Sequence, residues 1–411
     1  MTESGKHALL IGGNCFAAYA SVYIAKAILG AMMPQLLEAG FDRTLLGVMA
    51  SVFLLTYGAG QLISGLLGNR ISPRYMVALG LLIPGSIVFL FPFFAASAAG
   101  TVFWGLCGLC ASMLWGPISR VIGENTVPAV GKVLLSAMTV ASMVGTFLAY
   151  GFAALSSRAG NYRLAFFAGG GLTLLSALLW FFAFLRMERR GVVRMGKRKA
   201  DPEDPTSHGG ISAFCARYLS PTFLCMTAVA MLNGVIRNAV SVWIPTFLTE
   251  YLLIPIGVGS LVSSLLPIVN IAGTFLSLLV LRCARNNEKT VCVWLFGIAT
   301  LLFAGVYLCP VSLAPLSVAA LFLASAAMTG ALNMVFCVYI LEFRSTGSIS
   351  GVSGFLDFSS YLSASVASLC FTEMAENGWS AIILFWIVTT LIGTVFSVAA
   401  TVSARRTGRT V

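Results

Sequence analysis

The sequence predicts an all-α membrane protein with twelve transmembrane helices arranged as two six-helix bundles. Hydrophobic residues make up 58% of the 411 residues and charged residues only 9%, whereas soluble domains carry about 25% charged residues. Apolar runs recur along the whole chain and divide six and six, and a run of roughly 20 apolar residues is enough to span a bilayer. One long polar stretch separates the two sets.

The polar stretch at 187–216 divides the chain. It is basic first and then acidic, with Pro and Gly residues, which is typical of a linker with little fixed structure. We therefore expect an N-terminal six-helix bundle at 1–186, a cytoplasmic linker at 187–216 and a C-terminal six-helix bundle at 217–411.

The two sets of apolar runs share a pattern in their first members. Lys26 precedes Pro34 by eight residues, and Arg237 precedes Pro245 by eight. A basic residue at the same depth in the first helix of each half predicts two bundles related by a pseudo-twofold axis, the parallel repeat of many transporters.

The net charge of +11 is explained by the membrane topology. Most of the Lys and Arg residues fall in short loops on one side of the predicted spans, so the positive-inside rule places both termini in the cytoplasm of a multi-pass cell (inner) membrane protein. Basic residues spread along a membrane face do not form a nucleic-acid site, and we expect the lipid bilayer as the surrounding partner.

The sequence does not have the residue patterns of an enzyme. No nucleophile–base pair, metal-ligand set or nucleotide-binding loop is evident, and the C-x-x-C of Cys107 and Cys110 has no second pair or histidine nearby. We predict that the protein is not an enzyme and has no metal site and no cofactor.

Three ionisable residues fall well inside the predicted spans: Lys26, Arg237 and Asp357. Insertion of such a charge costs about 2.5–3.5 kcal/mol at mid-helix, which makes a functional role the default expectation. At helical spacing each of the three shares a helix face with other polar residues, and the second span has a fourth polar face. Four polar faces on otherwise apolar helices predict a water-filled cavity. The polar residues expected to bind substrate there are Tyr19, Tyr23, Tyr57, Gln61, Asn233 and Tyr361.

We interpret the two cations as a clamp on an anionic substrate. Arg237 offers a planar fork for two oxygens, and Lys26 acts as a mobile point charge. The structural alternative is that Asp357 pairs with one of the cations and staples two helices together. Asp357 also raises the hypothesis of proton coupling, whereas exchange of one anion for another needs no protonatable side chain.

Several motifs resemble one family. The first span has a tyrosine, a second tyrosine four residues on, a basic residue and then Met-Pro, and the loop after the second span resembles G-x-x-x-D-R-x-x-P-R. The residues that carry these motifs are Tyr19, Tyr23, Lys26, Met33, Pro34, Gly65, Arg70, Pro73 and Arg74. The layout resembles the major facilitator superfamily, and these motifs resemble its organophosphate:phosphate antiporters, which carry glycerol-3-phosphate and hexose phosphates.

The resemblance implies that Lys26 and Arg237 stand where the family has its two substrate-binding arginines, and that Tyr361 matches a cavity tyrosine. The chain departs from the family pattern at several positions, and Asp357 is an addition. The departures are Lys26 for arginine, Ala27 and Gln61 for lysines, Asn69 for aspartate, Ser142 for histidine and Gly234 for tyrosine. These changes leave the mechanism class in place and the substrate open.

Charges in the predicted cytoplasmic loops are candidates for a gate. We expect them to pair between the halves when the cytoplasmic side closes, although ordinary positive-inside topology also accounts for the basic ones. The candidate gate residues are Arg70, Arg74, Glu124, Glu342 and Arg344.

The sequence therefore predicts a secondary active transporter that moves a small organic anion by alternating access. The expected cargo is a phosphate ester exchanged for phosphate, and one chain suffices as a monomer. One alternative is a proton-coupled transporter of a carboxylate or another small molecule. A second alternative is a transport-inactive receptor for a sugar phosphate.

Overall fold

A computed structural model describes residues 3–94, 97–193, 220–254, 262, 265–345, 347–376 and 378–406, and most of them are helical. Seven helices precede the predicted linker: α1 (Glu3–Glu38), α2 (Arg43–Gly68), α3 (Pro73–Phe94), α4 (Ala98–Ala111), α5 (Trp115–Asn125), α6 (Pro128–Arg158) and α7 (Arg163–Arg189). The helices that follow are α8 (Pro221–Thr246), α9 (Leu266–Cys283), α10 (Glu288–Leu308), α11 (Ala314–Asn333), α12 (Ile349–Glu376) and α13 (Trp379–Arg406).

The helices confirm an all-α membrane fold. Among the described residues, eleven helical segments are long and apolar enough to cross a membrane. The twelfth by length is α12, since its 28 residues reach about 42 Å. α12 contains Asp357 and seven serines.

Two predicted spans are interrupted helices. The candidate span Ala99–Asn125 consists of α4 and α5, with a break at 112–114. The hydroxyl of Ser64 on α2 donates a hydrogen bond to the backbone oxygen of Ser112 at 3.0 Å, and so satisfies a carbonyl at the break. The candidate span Ala314–Arg344 continues from α11 as a π turn and then a 3₁₀ turn that ends at Arg344.

The chain forms two compact units. The first unit joins α1–α7 with the segment Ile340–Phe358, here called the returning segment, and the second joins α8–α11, the rest of α12 and α13. The sequence placed the returning segment in the C-terminal bundle at 217–411, so the structural grouping differs from the predicted division there. The predicted linker starts too early, because α7 extends to Arg189, and positions 194–216 lie outside the described residues.

The same helix pairs recur in both units. Contacts of α3 with α7, α2 with α4, α1 with α7 and α3 with α4 correspond to those of α10 with α13, α9 with α11, α8 with α13 and α10 with α11. Small residues allow the close approaches: a Cβ added at Gly145 would lie 2.0 Å from the Ala20 backbone oxygen, and one at Gly273 would lie 2.4 Å from that of Ala326. This shared pairing agrees with the repeat that the sequence predicts.

Glycines also seat the returning segment within the first unit. A Cβ added at Gly65 of α2 would lie 2.8 Å from the Gly354 Cα, and one at Gly116 of α5 would lie 2.5 Å from the Ser350 hydroxyl. The side chain of Asn69 accepts a hydrogen bond from the Gly351 N–H at 3.3 Å, in the first turn of α12. These contacts bring Asp357, one helical turn beyond Gly354, into the first unit.

Candidate substrate site

Lys26 lies in the middle of α1 with its ammonium group against two aromatic rings. The Lys26 Nζ is 4.0 Å from the centroid of the Tyr57 ring on α2 and 5.0 Å from that of Tyr23. Tyr23 in turn lies 5.1 Å from Tyr19, ring to ring. The helical spacing that places these three α1 residues on one face therefore builds an aromatic cradle, and each cation–π contact contributes about 0.5–2 kcal/mol.

Two buried polar groups lie beside this cradle. Trp115, 6% exposed, packs 5.5 Å from Tyr19, and Gln61, 1% exposed, follows Tyr57 by one turn of α2. Within the described part of the chain, the Trp115 Nε1 and the Gln61 Oε1 have no hydrogen-bond partner. A donor and an acceptor buried in this way call for a ligand or water.

Trp115 was missed by the sequence reasoning. It is the first residue of α5, directly after the break between α4 and α5, and the apolar run around it shows no interruption in the sequence. The signal available was a single Trp beside Gly116 and Pro117, two residues that often mark an irregular helix.

Asp357 belongs to the same unit as Lys26. It is half-buried on α12 and near enough to act electrostatically on Tyr19. A Cβ at Gly354, one turn earlier, would lie 2.4 Å from the Gln61 backbone oxygen. The first unit thus contains a cation, a carboxylate, three tyrosines and an amide in or beside mid-helix positions.

The second unit places Asn233 and Arg237 on one face of α8. Asn233 is fully buried, and its Nδ2 donates to the Met328 backbone oxygen of α11 at 2.7 Å. Among the described residues, its Oδ1 and the buried Nε of Arg237 have no hydrogen-bond partner. The Arg237 side chain as a whole is half-buried. Its Nε is therefore a charged donor that is available to a ligand acceptor.

Tyr361 lies on the part of α12 that packs against α8. A Cβ at Gly234 would lie 2.3 Å from the Ser360 hydroxyl, and the Ser363 hydroxyl donates to the Met231 backbone oxygen at 2.9 Å. The glycine that replaces a family tyrosine therefore allows close contact of the two helices. Tyr361 itself is half-buried.

Several of the predicted gate residues form bonds within the first unit. Arg74 forms an ion pair with Glu188 of α7 at 2.5 Å, and Glu124 forms one with Arg120 at 2.9 Å. Arg344 of the returning segment donates to the backbone oxygen of Glu124 at 3.2 Å. Arg70 and Glu342 also belong to the first unit, and both side chains are exposed.

Arg120 is a second residue that the sequence reasoning missed. It is 6% exposed, and its Nη1 donates to the backbone oxygens of Gly68 at 2.9 Å and Asn69 at 3.2 Å. It therefore joins α5 to the end of α2, next to the Asn69 side chain that binds the returning segment. Its position four residues before Glu124 on a helix was the available signal.

Helix pairs that repeat in two units, with ionisable side chains at mid-span, define a polytopic membrane transporter built from a parallel repeat. A family model described as Major Facilitator Superfamily matches residues 15–368, and the chain belongs to this family. The protein is therefore a multi-pass membrane transporter and not an enzyme.

Solved structures share the fold. The proton:xylose symporter XylE bound to 6-bromo-6-deoxy-D-glucose has a TM-score of 0.71 and 15% identity, covering 98% of this chain and 96% of that one. A bacterial homologue of the iron transporter ferroportin in an outward-facing state has a TM-score of 0.74 and 12% identity, covering 95% and 99%. At these identities the similarity concerns the fold alone.

Curated relatives confirm the resemblance to organophosphate:phosphate antiporters. The probable hexose phosphate transport protein of Chlamydia trachomatis is 30% identical over 110 residues, which are 26% of this chain and 24% of that protein. The membrane sensor protein UhpC of Escherichia coli is 32% identical over 102 residues, 25% and 23% of the two chains. The glycerol-3-phosphate transporter of Haemophilus influenzae is 24% identical over 262 residues, 57% and 54%. The chain thus aligns with about a quarter to a half of the length of these relatives.

Proposed function

We propose that the protein is a secondary active transporter of a small organic anion, in the first instance a phosphate ester exchanged for phosphate, working by alternating access. The observation that carries the proposal is the Arg237 Nε, a buried charged donor with no hydrogen-bond partner in the described residues. Relatives named as hexose phosphate and glycerol-3-phosphate transporters support this substrate class.

Each cation has a separate role in this proposal. Arg237 binds two oxygens of the anion with its planar fork, and Lys26 attracts the same group as a point charge held against Tyr23 and Tyr57. A lysine ammonium constrains the orientation of a bound anion less than an arginine guanidinium does. The Lys26 contact therefore also suits carboxylates. Neutral groups such as the Gln61 and Asn233 amides then suit the hydroxyl groups of an ester.

The contacts of the returning segment supply a gate in the same proposal. The Arg344 bond to Glu124 and the Asn69 bond to Gly351 hold it within the first unit, and the buried Arg120 bonds the end of α2 beside Asn69. We infer that the bonds of Arg344 and Asn69 form and break during the transport cycle. By the charge distribution this gate lies on the cytoplasmic side of the cell membrane, as do both termini. One chain carries both cations, which suits a monomer.

The test is a panel of ligands on the purified protein, followed by thermal unfolding. The panel contains inorganic phosphate, glycerol-3-phosphate, citrate and a neutral sugar. A ligand at 100 times its dissociation constant stabilises the folded state by about 2.7 kcal/mol. We expect stabilisation by phosphate and by an ester. In both Lys26→Gln and Arg237→Gln the effect of the ester should be lost and the effect of phosphate reduced.

The matched control for this panel is Arg282→Gln, which removes an exposed cation at the end of α9. It should bind phosphate as the unmodified protein does. Unchanged phosphate affinity in either Lys26→Gln or Arg237→Gln would refute a two-cation site. Stabilisation by citrate alone would move the substrate class to carboxylates.

Asp357 favours proton-coupled transport as a second candidate function. A carboxylate in mid-membrane beside the Lys26 cradle can take up and release a proton if desolvation outweighs the nearby positive charge. In proteoliposomes, Asp357→Asn should then lose uptake driven by a pH gradient while keeping exchange of phosphate for phosphate. Retention of gradient-driven uptake in that variant would eliminate the candidate.

The similarity to the membrane sensor protein UhpC favours a transport-inactive receptor as a third candidate. Such a receptor would bind a phosphate ester with the same cations but would show no flux. Measurement of binding and of flux on one preparation separates the two: binding without exchange in proteoliposomes supports the receptor, and exchange excludes it.

A further inference from the structure

A cavity of about 580 Å³ opens at the end of the first unit where α1 begins, α5 ends and α6 begins. This volume is typical of pockets that hold small ligands. The cavity is lined mainly by His7 of α1, the corner from Glu124 to Val130, Val192 and Arg344 of the returning segment. His7 precedes Lys26 by 19 residues, or about 28 Å along α1, so this cavity is distinct from the candidate substrate site.

The charges of the cavity favour an anion. Among the described lining residues the one carboxylate is that of Glu124. It is paired with the Arg120 Nε at 2.9 Å, and the Arg120 side chain is only 7% exposed. Arg344 uses one N–H on the Glu124 backbone oxygen at 3.2 Å, and a guanidinium has five such donors. The positive charge of Arg344 is therefore not compensated by Glu124, and the His7 ring adds a further hydrogen-bonding group.

We propose that this cavity binds a phosphate group, with Arg344 as the main contact and His7 as the second. The planar guanidinium matches two phosphate oxygens, and an imidazole ring presents an N–H donor. The phosphate comes either from a soluble anion or from the headgroup of an anionic lipid. Basic pockets between helices at the predicted cytoplasmic face are suited to both.

Occupation of the cavity would act on the gate. Arg344 lies in the returning segment, and its bond to the Glu124 backbone already joins that segment to α5. A phosphate held by both Arg344 and His7 joins the segment to α1 as well. A ligand that binds better while these bonds are made than after they break shifts the population towards the bonded state. Because the proposed transport cycle requires these bonds to break, the bound phosphate should slow transport.

The first experiment measures thermal unfolding of the full-length protein with inorganic phosphate at constant ionic strength, chloride being the balancing anion. It is carried out in the Arg237→Gln background, which removes the proposed substrate contact. Phosphate should still raise the melting temperature. Adding Arg344→Gln should weaken that effect at least about tenfold, as expected for loss of a charge-assisted hydrogen bond, and adding Arg189→Gln, an exposed cation in the same unit, should not.

The second experiment distinguishes the lipid source. Nanodiscs of phosphatidylglycerol and of phosphatidylcholine are compared with and without Arg344→Gln. A melting temperature raised by phosphatidylglycerol alone, and only while Arg344 is present, assigns the cavity to a headgroup. His7→Gln, expected to weaken the same effect, provides a second variant if Arg344→Gln does not fold.

The proposal is overturned if neither soluble phosphate nor phosphatidylglycerol gives a shift that depends on Arg344 or His7. This result is independent of the substrate site. A failure of the substrate proposal appears instead as phosphate binding by the unmodified protein that does not change on Arg237→Gln alone.

Discussion

Lys26 in the first unit and Arg237 in the second are both half-buried cations at mid-helix, but their surroundings differ. Lys26 lies against the faces of Tyr57 and Tyr23, whereas the buried Nε of Arg237 has no hydrogen-bond partner among the described residues. A ring face holds a charge without fixing the direction of an N–H, while an unpaired buried donor requires an acceptor. The first unit therefore offers a ligand a positive charge without a fixed hydrogen-bond direction, whereas the second offers it a hydrogen-bond donor with a fixed direction.

Exchange of the two cation types tests this difference most directly, and it has the largest expected effect. Arg237→Lys removes the planar fork and at least one charge-assisted hydrogen bond, worth about 1.5–3 kcal/mol, so inorganic phosphate should bind roughly 10- to 100-fold more weakly. Lys26→Arg keeps a cation over the rings, because both side chains make cation–π contacts, and should change binding only a few-fold. Calorimetric titration with phosphate measures both.

Equal losses in the two exchanges would contradict the distinction, because the cations would then require the same geometry. A larger loss in Lys26→Arg than in Arg237→Lys would reverse the assignment of the directional contact to the second unit.

The aromatic cradle can be tested alone at Tyr57. Tyr57→Leu removes the ring 4.0 Å from the Lys26 Nζ and with it about 1–2 kcal/mol of cation–π attraction, so phosphate binding should weaken about tenfold. Tyr57→Phe retains a ring and should stay close to the unmodified protein. If Phe weakens binding as much as Leu, the hydroxyl group rather than the ring face is responsible.

The sequence predicts the parts of the site that depend on helical spacing alone. Residues 19, 23 and 26 share a face in any α-helix, and the Lys26 cradle follows from it. The break before Trp115 depends instead on a bond from Ser64 to a carbonyl 48 residues away, and the returning segment depends on close contact between Gly65 and Gly354. Such distant contacts have no local signature, which is why Trp115 and the grouping of Asp357 with the first unit were not predicted.

A smaller effect is expected for Trp115, which tests whether the first unit also offers a directional donor. Trp115→Phe retains an aromatic ring against Tyr19 but removes the unpartnered N–H. Loss of one hydrogen bond is worth about 1 kcal/mol, so phosphate or ester binding should weaken about fivefold. Trp104→Phe, a buried tryptophan in the same unit, is the control and should not alter binding. Equal effects of the two changes would indicate a packing role.

The smallest effect is expected on the melting temperature of the ligand-free protein when the Gln61 and Asn233 amides are replaced. Gln61 and Asn233 each have a buried oxygen with no hydrogen-bond partner in the described residues, but the Asn233 Nδ2 binds the Met328 backbone oxygen. Replacing a polar group whose buried atom has no partner is near neutral or stabilising. Removing the Asn233 amide instead leaves the buried Met328 carbonyl without its hydrogen bond, which costs about 1 kcal/mol. Gln61→Leu should therefore leave the melting temperature unchanged or raise it slightly, and Asn233→Leu should lower it by about 2 °C. A loss of stability in Gln61→Leu as large as in Asn233→Leu would mean that the Gln61 amide supports the fold, and that its burial beside Lys26 is no sign of a ligand.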